Sequence, residues 1–314
     1  MIGAGGIAAR HLEALGKEPG VEIAGHLARH PQSARGAASR WGGRPFESLD
    51  DLLADGDLDA VWVTVPPHAH GEIELALIER RIPMFVEKPL SADRETARRI
   101  ARAVEESGLV TAVGYQWRAL DTLPRLREAL KERPARMVSG SWQGSLPEPG
   151  WWRRVELSGG QMVEQATHLF DLARYLLGEA TVLHAAVGDN ERSDFPEANV
   201  AVAAAATLRF QGGALGNFTA TSLLPWTGFV GLQLICQGLL VTLTRESVIY
   251  SDAKGRREEI TGNDPFEAVD RAFLQAVGAG DPSLVHSSYA DAMKTHELVL
   301  DVAEAAGEHG SGER

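Results

Sequence analysis

Lys88 stands in Glu87-Lys88-Pro89, directly after the short apolar run Pro83 to Val86. If that run is a strand, its turn presents the lysine at a strand's carboxyl end, the edge where open α/β sheets hold their ligands. A partly desolvated ammonium beside polar or cationic groups exchanges a proton near neutrality, which is what general acid–base chemistry requires. Alone, the tripeptide reads more readily as a surface lysine before a proline. A second polar set is Glu164, His168 and Asp171 at i, i+4 and i+7, with Met162, Ala166, Leu169 and Phe170 between them. That spacing predicts one helical face, a polar stripe suited to a substrate pocket. For an isolated histidine, a hydrogen-bonded structural role is the commoner reading. The i,i+4 pair also resembles zinc spacing, but no third ligand set and no H-E-x-x-H accompany it, so no metal is expected.

Gly3-Ala4-Gly5-Gly6-Ile7-Ala8 fits G-x-G-x-x-G/A, although so short a match also describes a glycine-rich start of any helix. In a βαβ setting it puts a pyrophosphate on a helix N-terminus, whose free N–H groups and dipole favour anions. A dinucleotide site for NAD places an acid about 20 residues further on, for the ribose 2′-hydroxyl. From Ile23 to Phe46 there is no Asp or Glu, and Ala28-Arg29-His30 occupies that turn. A cation there favours a 2′-phosphate and so NADP over NAD; the alternative is a solvated loop arginine. Thr64-Val65-Pro66-Pro67-His68-Ala69-His70 ends one strand, and Lys88, after the next, would face the nicotinamide.

The elements that must position these residues alternate in the first third of the chain. Val21 to Leu27, Ala60 to Val65, Pro83 to Val86 and Val110 to Gly114 read as strands. Between them, Ile73, Ala76 and Leu77, and then Ala97, Ile100, Ala101 and Val104, carry helical spacing, with Ser91 as the expected cap of the second helix. This rhythm predicts a parallel sheet. After Arg118 the pattern changes to a helix over Leu120 to Lys131, Trp-rich loops and a helical segment near 160–177. Then come the runs Val200–Phe210, Ala214–Ser222, Gly231–Cys236, Leu239–Thr244 and Ser247–Ser251, whose short turns predict an antiparallel or mixed sheet. Asp264-Pro265 opens a helix with Phe266, Val269, Phe273 and Val277 inward, and a last helix spans Tyr289 to Ala305.

At 314 residues, two domains are expected, and the 31 Lys+Arg against 43 Asp+Glu give a net charge of −12. That balance opposes nucleic acid and anionic membranes as partners. The single Cys236 excludes an intrachain disulfide. With no apolar run near the ~18–20 residues of a membrane span and no signal-peptide pattern, the expected place is the cytoplasm.

These segments, in this order, resemble the glucose-fructose oxidoreductase / inositol dehydrogenase family (Gfo/Idh/MocA), and the resemblance covers nearly the whole chain. Gly3-Ala-Gly5-Gly6-Ile-Ala is similar to its opening loop, Thr64 to His70 to its T-P-x-x-x-H strand end, and Glu87-Lys88-Pro89 to its E-K-P. Gly114-Tyr-Gln116-Trp-Arg118 resembles its G-x-N-x-R strand, Trp152-Arg153 its W-R pair, and Glu164-x-x-x-His168-x-x-Asp171 its D-x-G-x-H-x-x-D. The resemblance implies a Rossmann domain over 1–118 with its first strand cut short. It implies an α+β domain over 119–306 with an open, mostly antiparallel sheet that serves a homodimer or homotetramer; residues 307–314, Gly-Glu-His-Gly-Ser-Gly-Glu-Arg, read by composition as a flexible tail.

It also implies hydride transfer between a nicotinamide and a carbinol or carbonyl carbon of a sugar, cyclitol or related polyol. Lys88 would give or take the proton, His168 would assist at the substrate oxygen, and Glu164 would tune that pair. Gly3, Gly5, Gly6 and Ile7 would cradle the pyrophosphate. Arg29, His30, Thr64, Pro66, His70, Glu87, Lys88 and Arg118 would line the dinucleotide groove. Trp152 and Arg153 would close over the nicotinamide end or the substrate, and Gln116 and Trp151 would join Lys88, Glu164 and His168 at the substrate. Two other readings stand beside this one: a nucleotide-binding regulator without turnover, and a reductase of a non-sugar substrate, of biliverdin or dihydrodiol type.

The chain departs from the family pattern where Glu164 replaces Asp and Ala166 replaces Gly. Only Met1-Ile2 precede the glycine loop, although the fingerprint needs a strand running into it. The natural chain is therefore expected to begin several residues upstream with a β-branched, apolar run.

Overall fold

The computed structural model describes residues 1–54 and 58–308. The chain divides into two compact units, one of Met1–Ala119 with Asn263–Met293, the other of Leu120–Gly262 with the chain from Lys294 onward. The helix Pro265–Ala279 thus belongs with the first unit, while the last helix, Tyr289–Ala305, contributes to both.

The first unit is built on short parallel strands β1 (Gly25–Leu27), β2 (Arg44–Phe46), β3 (Val61–Val63), β4 (Met84–Val86) and β5 (Thr111–Val113). β1 pairs with β2, and β3 with β4 and then β5. Ile2 joins the two groups through parallel bridges to Leu27 and Val63. The order is therefore β2, β1, Ile2, β3, β4, β5, a doubly wound sheet in which one residue stands where the first strand belongs.

Strict alternation explains why both faces are covered. Val61, Val63, Met84, Val86 and Val113 point into one core with Leu77, Ile100 and Tyr289. Trp62, Phe85 and Ala112 point into the other with Leu15, Val269 and Phe273. A strand buried on both faces needs a near-continuous apolar run, as in β3 and β4; in β5 the polar Thr111 is buried and its hydroxyl accepts from the Tyr289 amide at 3.3 Å. The helix Arg94–Ser107 is capped by Asp93, whose Oδ1 accepts from the Thr96 amide at 2.8 Å, rather than by Ser91. Ser91 instead supports the cap, its hydroxyl donating to Asp93 Oδ2 at 3.3 Å. Asp264 caps Pro265–Ala279 as its sequence predicts, accepting from the Phe266 amide at 2.8 Å.

The second unit holds one sheet of eight strands: β6 (Ala135–Gln143), β7 (Ala180–Val187), β8 (Ala203–Phe210), β9 (Leu215–Thr221), β10 (Val230–Cys236), β11 (Leu239–Leu243), β12 (Ser247–Asp252) and β13 (Gly255–Ile260). They run in the order β13-β12-β11-β10-β6-β9-β8-β7. Only β6 and β9 are parallel neighbours, so the sheet is mixed and mostly antiparallel. One face is covered by the helix Thr167–Leu177, with the Phe170 ring stacked 4.4 Å from that of Phe218 on β9. β13, Gly-Arg-Arg-Glu-Glu-Ile, has no apolar alternation because it is an edge with a single neighbour. Its charges pair locally, Arg257 with Glu259 and Arg125 with Glu259 at 2.7 Å, which blunts an edge that would otherwise template further pairing.

The helical segment near 160–177 is not continuous. Gln161–Glu164 and Thr167–Leu177 are separate helices, and at the junction the Ala166 amide reaches back five residues to the Gln161 carbonyl at 3.0 Å. The expected single face carrying Glu164, His168 and Asp171 is therefore broken between Glu164 and His168. Of the expected tail, residues 309–314 lie outside the described residues. Glu308 still belongs to the closing turn, with its amide on the Ala303 carbonyl at 3.0 Å.

Candidate active site

In the first unit the chemistry gathers at the carboxyl edge of the short strands. Gly3, at φ +105°, directly follows Ile2; a Cβ there would collide with the carbonyl oxygen and Oγ1 of Thr64, the residue after β3. Thr64 is held by donation from its Oγ1 to the Ile2 carbonyl at 3.0 Å. Gly5 and Gly6 differ: a Cβ on either would meet nothing within 4 Å, so open space lies before the helix Gly6–Leu15 and its free N–H groups. Beside it, a recess of about 290 Å³ is lined by Ala4 and Gly5 of the loop, Ala8 of this helix, and Gly36, Arg40 and Trp41 of Pro31–Trp41, among others. Such a cradle fits the pyrophosphate and adenosine side of a dinucleotide. Ile7 is half-buried in the first turn of Gly6–Leu15, and Arg29 and His30 are exposed just before Pro31–Trp41.

Pro66 precedes the short turn Pro67–Ala69, which leads to His70. His70 is buried, its Nδ1 2.6 Å from Glu74 Oε1, while Glu74 Oε2 accepts from the Gly71 amide at 2.7 Å. His70 Nε2 has no hydrogen-bond partner among the described residues. Glu74, which the sequence motifs do not include, is fully buried and orients this histidine.

Glu87 follows β4, its amide on the Val63 carbonyl at 2.9 Å. Its carboxylate is turned inward: Oε2 accepts from the Lys88 amide at 3.1 Å and Oε1 lies 3.0 Å from His11 Nε2. Lys88 is half-buried, and the Lys88-Pro89 peptide is cis. After β5, Gln116 is buried with Oε1 lacking a partner among the described residues. The guanidinium of Arg118 pairs with Asp291 and donates to the His286 carbonyl at 3.4 Å.

In the second unit, Trp151 and Trp152 stack on each other, ring centroids 4.8 Å apart. The Arg153 guanidinium lies over Phe195 at 3.6 Å and donates to Glu197 at 2.7 Å. Glu164 ends the helix Gln161–Glu164 and His168 is the second residue of Thr167–Leu177; both are buried, and the imidazole stacks against Trp142 at 6.0 Å. Asp171 is committed to packing, with Oδ1 accepting from the Thr295 hydroxyl, which itself accepts from Arg174. Gln161, absent from the motif reading, is buried with neither amide atom partnered among the described residues. Its position three residues before Glu164 was the only available signal.

A glycine loop opening a helix of a doubly wound sheet, a strand-end lysine, and a second unit with a mixed open sheet define a two-domain dinucleotide-binding protein. Family models specify it further. Residues 1–115 match the Gfo/Idh/MocA oxidoreductase family with an NAD-binding Rossmann fold, and residues 134–237 match the family's C-terminal domain. The chain belongs to this family of NAD(P)-dependent oxidoreductases.

An uncharacterised protein of Schizosaccharomyces pombe is 31% identical over 86% of this chain and 77% of its own length. The 1,5-anhydro-D-fructose reductase of Ensifer adhaerens is 26% identical over 90% and 89%. A levoglucosan dehydrogenase in complex with NADH and levoglucosan shares the fold, with a TM-score of 0.86 at 20% identity over 98% and 96% of the two chains. No helix among the described residues is long and apolar enough to cross a membrane, and no group of three or more His, Cys, Asp and Glu there could hold a metal ion.

Proposed function

We propose that this protein transfers hydride between a nicotinamide dinucleotide and a carbinol or carbonyl carbon of a sugar, cyclitol or related polyol, with NADP preferred. The observation that carries this reading is the placement of Lys88 two residues after β4, on the carboxyl edge where the glycine loop follows Ile2 and Thr64 follows β3. The bound dinucleotide supplies the hydride donor or acceptor. Lys88 gives its proton to the substrate oxygen during reduction and takes it back during oxidation. His168 hydrogen-bonds that oxygen, Glu164 tunes the Lys88–His168 pair, and the Gln161 amide, which can donate and accept, reads a neighbouring hydroxyl. Gly3, Gly5, Gly6 and Ile7 hold the pyrophosphate, and Arg29 meets the 2′-phosphate.

The uncovered face of the second unit's sheet supports self-association. Leu240, Ile235, Met137 and Leu215 stand in register across β11, β10, β6 and β9, and each is 36–42% exposed. We read this row as the centre of a homodimer or homotetramer contact, to be checked by light scattering of the wild type against Ile235→Lys.

The function is tested by following nicotinamide fluorescence with sugars, cyclitols and their keto forms, and by repeating the productive reaction with Lys88→Met. Turnover should fall by about 10²–10⁴, with the cofactor Kd within a few-fold of wild type. Near wild-type turnover in the variant would remove Lys88 from the proton transfer. No hydride transfer with any carbonyl or alcohol in the panel would reject the substrate class.

A further inference from the structure

His11 lies on the helix Gly6–Leu15, five residues after the glycine loop, and has no exposed surface. Its Nδ1 is 2.8 and 2.9 Å from the two carboxylate oxygens of Asp270, and its Nε2 is 3.0 Å from Oε1 of Glu87. Carboxylates accept and cannot donate, so both contacts are hydrogen bonds only when both ring nitrogens carry protons. The imidazole is boxed edge-on by Phe85 at 4.9 Å and Phe266 at 5.4 Å, which leaves it one orientation. Asp270 is fixed in turn by the Trp62 indole, which donates to Oδ1 at 2.9 Å.

Among the described residues, Asp270 and Glu87 are the charged groups that act on His11. Its neighbours Arg10 and Glu13 are exposed and pair with each other at 3.3 Å, and Arg10 also reaches Asp264 at 3.2 Å. Burial by itself would push the imidazole pKa down, but the charge of Asp270 and the hydrogen bonds to Asp270 and Glu87 outweigh it and raise it from 6.5 to about 9.

The far end of this chain of contacts is Glu87, whose second oxygen accepts from the Lys88 amide. We infer that His11 is a positioning residue for Lys88: held by Asp270, it clamps the Glu87 carboxylate, and that carboxylate sets the turn and the local charge from which the Lys88 side chain departs. The inference rests on Lys88 being the proton-transfer group, yet its test does not depend on turnover. With the imidazolium in place, one positive charge offsets the Glu87 carboxylate beside Lys88. Without it, the carboxylate stands uncompensated and holds the lysine proton more tightly.

The test is the pH dependence of Lys88 acetylation by acetic anhydride, read by peptide mass spectrometry on the full chain, for wild type and His11→Gln. The labelling midpoint of Lys88 should move upward by about half a pH unit or more in His11→Gln, with other lysines unmoved. If His11→Gln does not fold, as judged by near-UV circular dichroism, Asp270→Asn serves instead. It keeps the side-chain shape but removes the charge that keeps His11 cationic, and should move the midpoint the same way by less. An unchanged midpoint in a folded variant overturns the inference and leaves His11 as a packing group. Full turnover in Lys88→Met would instead overturn the proton-transfer assignment, and the labelling result would still decide what His11 does to Lys88.

Discussion

The carboxylate of Glu87 occupies the space that a Cβ on Gly114 would need, so the glycine after β5 is the floor on which the Glu87-Lys88-Pro89 turn is set. A methyl group at 114 must expel the carboxylate, because the Gly114 amide is tied to the Val86 carbonyl at 2.9 Å and the backbone cannot withdraw. Gly114→Ala should therefore break the contact between Glu87 and His11. The expected result is a loss of about 1–3 kcal/mol in urea unfolding, as for an orphaned buried charge partner, together with turnover reduced about tenfold or more. Unchanged stability and turnover would mean that Glu87 moves without consequence.

Gly3→Ala should be harmful for a different reason. The positive φ and the collision with the Thr64 carbonyl act together, so the loop must shift away from the end of β3. We expect a loss of about 1–3 kcal/mol in stability and at least tenfold weaker binding of NADPH by fluorescence titration. Gly5→Ala, which meets no neighbour, should spare stability and weaken NADPH binding alone. If Gly5→Ala binds NADPH as tightly as wild type, the pyrophosphate does not pass over that backbone.

Cofactor choice is expected to turn on Arg29, exposed just before the N-terminus of Pro31–Trp41. NADPH should bind about tenfold or more tighter than NADH, and Arg29→Ala should close most of that gap by weakening NADPH alone. Equal Kd values for the two reduced cofactors in the wild type would refute the preference.

The buried cluster also predicts how stability changes with pH. Burial opposes the charged His11 imidazole, yet Asp270 and Glu87 raise its pKa above the ordinary 6.5, to about 9. A raised pKa in the folded state means that the contribution to stability is complete below about pH 6.5 and is lost as pH rises through about 9. Unfolding free energy of the wild type should fall over that window more steeply than that of His11→Gln, by roughly 1–3 kcal/mol in total. Parallel pH curves would show that His11 is neutral in the folded protein.

Much of the first unit is legible in sequence because its signals are local. Alternation in Val61-Trp62-Val63 and Met84-Phe85-Val86 reports strands buried on both faces, and the glycine loop and Asp264-Pro265 mark helix starts through backbone chemistry confined to a few residues. Local pattern misled where a neighbour competes: Ser91 and Asp93 both qualify as caps, and only the charged side chain reaches the Thr96 amide. The helix through Glu164 and His168 has unbroken spacing, yet it divides at Gln165-Ala166, where the backbone takes a longer hydrogen bond.

What the chain by itself determined is the Rossmann rhythm, the strand-end lysine and the family's ordered motifs, since each depends on spacing within about a dozen residues. What tertiary structure alone decided is which distant groups meet. Glu-Arg-rich β13 becomes a strand only because β12 offers it an edge. The helix Pro265–Ala279 joins the first unit, and Asp270 thereby finds His11, 259 residues earlier in the chain. No periodicity carries that pairing, because an acid and a histidine on separate helices look like surface residues until packing removes their water. Only then does the cost of burying either charge alone force the two together.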